Sequence, residues 1–271
     1  MSAQAAAIIV GVDDSPSAAH AALWAADLAS AWDAPLRLVH ATSTTEEPDW
    51  LRELRDAALR AGAMDASVEL ASGEPAGVLL ERSNHAELLV VGSYGEGANA
   101  GLLAGSTAQA LVERARPAVA VVRGLEPGIA PRRDGPIVVG VDGSAVAVAV
   151  LNRAADLAAA FGAHVLALHV WSGVGRSGGP SGQGAVAAEA QRVLDTQADG
   201  LQARRPAAVV ERRVVADHPL RALLAQAPSA RAVVVGRSDR PPSAGILLGS
   251  TCRGLVEFAP CSVVVVPDVR T

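Results

Sequence analysis

The sequence predicts an α/β protein built from two tandem Rossmann-like, doubly wound domains, each with a five-stranded parallel sheet flanked by helices. Three observations lead to this prediction. The chain contains short apolar runs in which apolar and polar residues do not alternate, these runs take turns with helical segments along the chain, and the second half repeats the first. Unbroken apolar runs are typical of parallel strands that are covered on both faces. Strict strand–helix order indicates right-handed crossovers within one parallel sheet.

The first half supplies five strands and four helices in order. Ser15 followed by Pro16 predicts a helix start, with Ser15 as the N-cap and Pro16 in the first turn. In the next segment Ala21, Trp24 and Leu28 recur at helical spacing, which indicates an amphipathic helix against the sheet. The predicted strands are Ala6–Val12, Leu36–Ala41, Ser67–Ala71, Glu87–Val91 and Ala118–Val122, and the later helices are Glu46–Ala63, Pro75–Asn84 and Ser106–Ala115.

The second half repeats these segments. GVDDS at Gly11 recurs as GVDGS at Gly140, and LLAGST ending at Thr107 recurs as LLGST ending at Thr251. The second half also carries an insertion, SGVGRSGGPSGQG from Ser172, whose composition predicts a mobile loop. We therefore expect domains at residues 1–124 and 136–271, joined by a linker at 125–135.

Composition excludes several function classes. The 271-residue chain has a net charge of −5, only 3% aromatic residues and no basic cluster beside aromatic ones, which argues against a nucleic-acid surface. Its apolar runs are too short to span a bilayer, and MSAQAAA lacks the basic start and apolar core of a secretory signal. We expect a soluble, cytoplasmic protein in which Cys252 and Cys261 are reduced thiols in or near the core.

The strongest local signal is the segment LLVVGSYGEGANAGLLAGST, in which an apolar run ends in a glycine-rich loop that opens a helix. Gly92, Gly95 and Gly105 would let backbone N–H groups approach an anion, and a helix N-terminus offers free donors and a favourable dipole. Ser106 and Thr107 would add hydroxyl donors. The spacing predicts a phosphate-binding loop.

A purely structural interpretation of the same segment stands beside this one. Gly92 would then end a strand, Gly95 would shape a turn and Ser106 would cap a helix. The segment is not a Walker loop, because GLLAGST lacks the Lys, and it does not follow a first strand as the dinucleotide fingerprint does. The ends of the first and fourth strands, which carry Asp13 and Gly92, are expected at the switch point of the sheet, where ligands bind. This pairing favours a nucleotide site.

At these residues the chain resembles the universal stress proteins, in the tandem form common in actinobacteria. GVDDS with Asp13, the strand end at His40 and Ala41, and the spacing of the loop glycines carry the resemblance, which extends over both halves. The resemblance implies adenine near Asp13 and Ala41 and ribose near Gly92. It implies phosphates on Gly95, Gly105, Ser106 and Thr107, with ATP as the ligand, with or without Mg²⁺. The corresponding residues of the second half are Asp142, Val170, Gly236, Gly249 and Ser250.

The resemblance also has implications for assembly. Family members pair through their fifth strands, so Val119–Val122 and Val263–Val266 are expected to pair across an internal pseudo-twofold and hide two sheet edges. A homodimer of the whole chain and protein partners of unknown identity are further expectations, whereas nucleic acid and membrane are not expected as partners.

The second loop departs from the pattern. Asp239 replaces the second glycine, and Pro241 and Pro242 stiffen the following backbone. A carboxylate about 5 Å from a phosphate costs roughly 3 kcal/mol per like-charge pair at an effective dielectric near 20, or about a hundredfold in affinity. Arg237 and Arg240 flank Asp239 and could compensate in part. We expect the second site to be weak, altered or empty.

Three functions remain from the sequence. The leading hypothesis is an ATP-binding regulator of the stress response. A slow ATPase would need a base and a cation near the phosphates, and the loop SYGEGANAGLLAG has neither Lys nor Arg. We name no catalytic residue and no metal ligand, and His40 and His169 are interpreted as packing beside the site. A nucleotide-free scaffold is the third possibility.

Overall fold

The computed structural model describes residues 6–95, 104–126, 128–144, 146–171, 180–237 and 249–268. The strands are β1 (Ile8–Gly11), β2 (Leu36–Ala41), β3 (Ala66–Ala71), β4 (Leu88–Gly92), β5 (Ala118–Val122), β6 (Ile137–Val141), β7 (Val165–Trp171), β8 (Val210–Ala216), β9 (Ala232–Gly236) and β10 (Ser262–Val266). The helices are α1 (Pro16–Trp32), α2 (Asp49–Arg60), α3 (Pro75–Arg82), α4 (Ser106–Arg114), α5 (Ala147–Phe161), α6 (Pro180–Arg204), α7 (Pro219–Gln226) and α8 (Ser250–Phe258).

These strands form one ten-stranded sheet in the order β3-β2-β1-β4-β5-β10-β9-β6-β7-β8. Within each half all neighbouring strands are parallel, so the predicted fold class is confirmed. The predicted start of α1 is also confirmed, because Ser15 caps the helix through a 3.1 Å bond from the Ala18 N–H to its hydroxyl.

Among the boundaries that differ from the prediction, two have identifiable local reasons. Helix α2 begins at Asp49 rather than Glu46, because Pro48 disfavours helical backbone in the residue before it. The prediction that the whole insertion forms a loop is wrong for its last part, because α6 begins at Pro180. Proline fits the first turn of a helix, which needs no N–H donor there. The part of the insertion at 172–179 lies outside the described residues.

The sheet separates two helical layers. Alternate strand residues such as Ile8 and Val90 face α1, α2, α5 and α6, and their neighbours such as Ile9 and Val91 face the layer that contains α3, α4, α7 and α8. Both faces are therefore covered, as the unbroken apolar strands require.

The two halves meet through β5 and β10, which pair antiparallel with Val121 opposite Val263 and Val119 opposite Val265. The predicted pairing of the fifth strands is thus confirmed. On the α1–α5 side, Trp24 packs against Phe161 at 5.3 Å between ring centroids, and the Arg231 guanidinium lies 3.7 Å above the same phenyl ring. The contact of Trp24 with Phe161 crosses the junction, and buried residues of both halves form one hydrophobic cluster on this side of the sheet.

Both cysteines are free and buried in the described structure, as the sequence predicts. Burial raises the pKa of both thiols to about 12. Because the raised folded-state pKa favours the neutral thiol, its contribution to stability is complete below the unfolded pKa of about 8.5 and is lost as pH rises toward 12.

We expect a thiol reagent such as Ellman's reagent to react at pH 8 with well under one thiol per native chain and with both after denaturation, because only the thiolate attacks. Rapid titration of two thiols in the native protein would contradict the burial of Cys252 and Cys261.

Within the described ranges, no helix is both long enough and apolar enough to cross a membrane.

Candidate functional site

The strand order of the first half reverses beside β1, which lies between β2 and β4. Gly11 is in register with Val91 of β4 and with Val39 of β2, so the chain segments that follow these three strands emerge at the same edge of the sheet. This edge is the position at which open α/β sheets bind ligands.

Asp13 and Gly95 lie against each other at this edge. The Asp13 Oδ1 accepts a 2.5 Å hydrogen bond from the Ser15 hydroxyl and a 3.3 Å bond from the Ser15 N–H. A Cβ on Gly95 would lie 2.6 Å from Asp13 Oδ2, which means that any side chain there would displace the carboxylate. The structure therefore brings together two residues that the sequence predicts for one site.

Gly92 has a packing role that the sequence did not reveal. A Cβ at this position would lie 2.5 Å from the Ser17 hydroxyl oxygen and 2.8 Å from the Ser17 carbonyl carbon. The same hydroxyl accepts a 2.9 Å hydrogen bond from the Ser93 N–H. Gly92 thus lets the end of β4 touch the first turn of α1, so its glycine is explained before any ligand is considered.

Helix α4 begins at the same loop. Gly105 is its N-cap and donates a 2.7 Å backbone hydrogen bond to the Ser93 carbonyl, so its N–H is already used. The next donors, Ser106 and Thr107, are in the first helical turn, where N–H groups have no acceptor within the helix. Among the described residues, a Cβ on Gly105 would come no closer than 3.7 Å to its neighbours, the Ser93 carbonyl oxygen and the Tyr94 Cα, which is ordinary van der Waals contact.

The end of β2 forms another side of the site. His40 donates a 2.9 Å hydrogen bond from Nδ1 to the Val12 carbonyl, and its ring meets Trp50 edge-on at 5.0 Å. His169 makes the equivalent 2.7 Å bond to the Val141 carbonyl. Both histidines brace the segment after the first strand of their half, and Ala41, which follows His40, is half-buried beside it.

The second half keeps this outline with different details. Asp142 is exposed and accepts a 3.0 Å bond from the Ser144 N–H, and Val170 lies half-buried at the end of β7. Val146 contacts Gly236, whose Cβ would lie 3.0 Å from a Val146 methyl carbon. Helix α8 begins at Ser250 with Gly249 as its N-cap. Asp239, Arg240, Pro241 and Pro242 lie outside the described residues.

Two arginines form contacts that sequence reasoning missed. The Arg237 Nη1 donates to the carbonyls of Val112, Glu113 and Ala115 at 3.3, 3.1 and 2.9 Å, so this guanidinium binds the end of α4. Asp239 lies outside the described residues, so the suggested compensation of its charge by Arg237 stays a prediction. Arg123 binds the end of α8, and burial lowers its pKa to about 10.

A cavity of about 230 Å³ lies next to the loop but is separate from the predicted site. Ser93 and Tyr94 form one wall, Phe258 and Pro260 form another, and the chain after Arg123 covers it. Asp13, Ala41 and Gly105, which are all described, do not line this cavity.

In the described ranges, no group of three or more His, Cys, Asp or Glu side chains could hold a metal ion.

The fold and the loop define a class: tandem α/β domains with a candidate ligand site at the switch point of each parallel half-sheet. The universal stress protein family model matches residues 6–123 and 135–267. The chain belongs to the universal stress protein family.

Relatives and solved structures agree with this assignment. Universal stress proteins Rv2623 and Rv2005c of Mycobacterium tuberculosis are both 33% identical to the chain, covering 97% and 95% of it and 97% and 96% of their own lengths. A crystal structure of a universal stress protein from Archaeoglobus fulgidus has a TM-score of 0.68 at 16% identity, covering 96% of this chain and 98% of its own. At that identity the likeness concerns the fold alone.

Proposed function

We propose that the first half binds ATP and that the protein acts as a nucleotide-dependent regulator in the stress response. One observation carries the proposal: Asp13, the Gly95 turn and the start of α4 converge at the switch point. A Cβ on Gly105 would be 3.7 Å from the Tyr94 Cα and 4.0 Å from the Gly95 nitrogen, and Gly95 itself abuts Asp13. An acceptor for the nucleoside thus lies beside donors for phosphate.

Each residue has a role in this proposal. The N–H groups and hydroxyls of Ser106 and Thr107 donate to phosphate oxygens, as helix N-termini do for anions. The Asp13 carboxylate accepts from the adenine or ribose, and Ala41 provides apolar contact for the base. Gly95 lets the phosphates approach the backbone closely.

The donor set fits a triphosphate, because it consists of neutral N–H and O–H groups at the positive end of a helix dipole. Mg²⁺, when bound, would come with the phosphates and neutralise part of their charge. The protein then orients the nucleotide rather than cleaving it, since a transferred phosphoryl group needs stabilising cations in its immediate surroundings. Slow ATP hydrolysis and a nucleotide-free scaffold are the alternatives.

The first test is to denature the purified protein and count the nucleotide released per chain. About one ATP per chain supports an occupied first half and an altered second half. No released nucleotide, together with no binding of added ATP and Mg²⁺ by calorimetry, would overturn the proposal in favour of the scaffold. Release of ADP alone, with ATP turned over by the purified protein, would support the slow ATPase.

Asp239→Gly is expected to raise the bound nucleotide from about one to about two per chain, because it removes the carboxylate that would face the phosphates of the second half. Equilibrium dialysis with labelled ATP measures the change.

The reciprocal control is Gly95→Asp, which gives the first loop the residue of the second. It should weaken first-half binding, since even its Cβ would lie 2.6 Å from Asp13 Oδ2. A stoichiometry that stays at about one in Asp239→Gly would mean that the carboxylate is not what limits the second site.

The organisation of the chain belongs to the same proposal. We place the domains at 1–124 and 136–271 with a linker at 125–135, the protein in the cytoplasm, and its regulatory output in protein partners and in a homodimer of the whole chain.

A further inference from the structure

The C-terminal end of α4 is held by the other half of the chain. Arg237, directly after β9, donates from Nη1 to three carbonyls in the last turn of α4 and the residue after it. The last carbonyls of a helix have no partner within the helix, and a cation there also offsets the negative end of the dipole. Arg237 therefore satisfies and neutralises the end of α4 opposite to the candidate phosphate site.

The end of α8 is held in the same way by an arginine of the first half, but this arginine is not the sequence equivalent of Arg237. Arg123, directly after β5, donates to the carbonyls of Val256, Glu257 and Ala259 at the end of α8. These three residues occupy the places in α8 that Val112, Glu113 and Ala115 occupy in α4. Arg237 instead corresponds to Ser93, and Arg123 to Pro267. Two non-equivalent arginines thus bind equivalent carbonyls, each from the opposite half.

The geometry places Arg237 close enough to affect the other end of α4. The helix has nine residues and is therefore only about 13 Å long. Its buried side chains, Ala108, Leu111 and Val112, fix one face on the sheet, while Arg237 fixes the last turn. Loss of the guanidinium would free that turn and remove one of the positive charges at the negative end of the helix, where Arg114 of the last turn would remain. Both effects disfavour an anion at the N-terminus.

We propose that Arg237 is a positioning residue for phosphate at the first-half site, so that the strand end of the second half sets the phosphate affinity of the first. This inference rests on the proposed function, because it concerns the same ATP site. The second half then has a role in nucleotide binding whether or not its own loop holds a ligand. Its Arg237 holds α4, the helix whose N-terminus receives the phosphates at the first-half site.

The test compares ATP with adenosine in the full-length protein by calorimetry. Arg237→Gln should raise the Kd of ATP about three- to tenfold and change the Kd of adenosine by less than about twofold, because adenosine has no phosphate to place on α4. Arg237→Lys, which keeps the charge, should restore most of the ATP affinity. Should Arg237→Gln fail to fold, Arg237→Met keeps the aliphatic stem and carries the same expectation.

The matched control is Arg231→Gln, at the other end of β9. Arg231 also joins the halves, through a 3.6 Å ion pair with Asp27 of α1, and its guanidinium bonds to the carbonyls of Arg133 and Phe161. None of these partners lies in α4. Its ratio of ATP to adenosine affinity should equal that of the wild type. Equal weakening of ATP and adenosine in Arg237→Gln, or the same selective loss in Arg231→Gln, would overturn the inference while leaving the ATP site in place. Absence of ATP binding in the wild type would overturn both.

Discussion

Gly105→Val is expected to weaken ATP binding by at least about a hundredfold. The valine methyl groups would extend from the N-cap over the start of α4 and keep the phosphates away from the Ser106 and Thr107 N–H groups. Two hydrogen bonds to a charged group are worth about 1.5–3 kcal/mol each, so their loss accounts for the effect. Calorimetry with ATP and Mg²⁺ measures the affinity.

The fold should tolerate this change, which makes binding the informative measurement. Gly105 has ordinary extended backbone angles, φ −72° and ψ 158°, and the nearest contacts of an added Cβ among the described residues would be van der Waals contacts at 3.7 Å. The control is Gly249→Val, the same substitution at the N-cap of α8, which should leave first-half binding intact. Unchanged ATP affinity in a folded Gly105→Val protein would refute the assignment of phosphate to α4.

Gly92→Ala, unlike Gly105→Val, is expected to affect the fold. It should lower the free energy of unfolding by about 1–3 kcal/mol. The added methyl group would collide with the Ser17 hydroxyl and with the Ser17 carbonyl carbon and oxygen at 2.5, 2.8 and 2.9 Å. The backbone of α1 must move, because the clash is not confined to a flexible side chain. Urea unfolding followed by circular dichroism gives the change.

Gly236→Ala in the second half is the matched comparison. Among the described residues, its new methyl group would lie closest to side-chain methyls of Val146 and Val150, at 3.0 and 3.2 Å, so a smaller loss of stability is expected. Equal stabilities of Gly92→Ala and the wild type would show that a methyl group fits between β4 and α1 without displacing Ser17.

Much of the fold follows from local pattern. The apolar runs predict the strands, and the residues at helix starts predict caps such as Ser15 before Pro16. The duplication predicts two similar half-sheets, and the pairing of their fifth strands follows from the family resemblance. These features depend on neighbouring residues or on the repeat itself, and both are visible in one sequence.

The site is only partly accessible in this way. The proximity of Asp13 to Gly95 follows from topology, because the ends of β1 and β4 must be adjacent once the strand order reverses. The bond between Ser17 and Ser93 spans 76 positions, and those from Arg237 to α4 span more than 120. No periodicity or motif marks such pairs. The repeat is misleading for the arginines, because their equivalents in the other half are Ser93 and Pro267.

The antiparallel junction of β5 and β10 joins the two halves independently of protein concentration, and it affects which substitutions each half can accept during evolution. Since the paired strands belong to one chain, their local concentration is set by the linker and not by the amount of protein present. Pairing within the chain is therefore favoured over exchange between chains, and each half meets the same neighbour. One half can therefore accumulate substitutions in its loop while its surface is retained as the fixed support of the other.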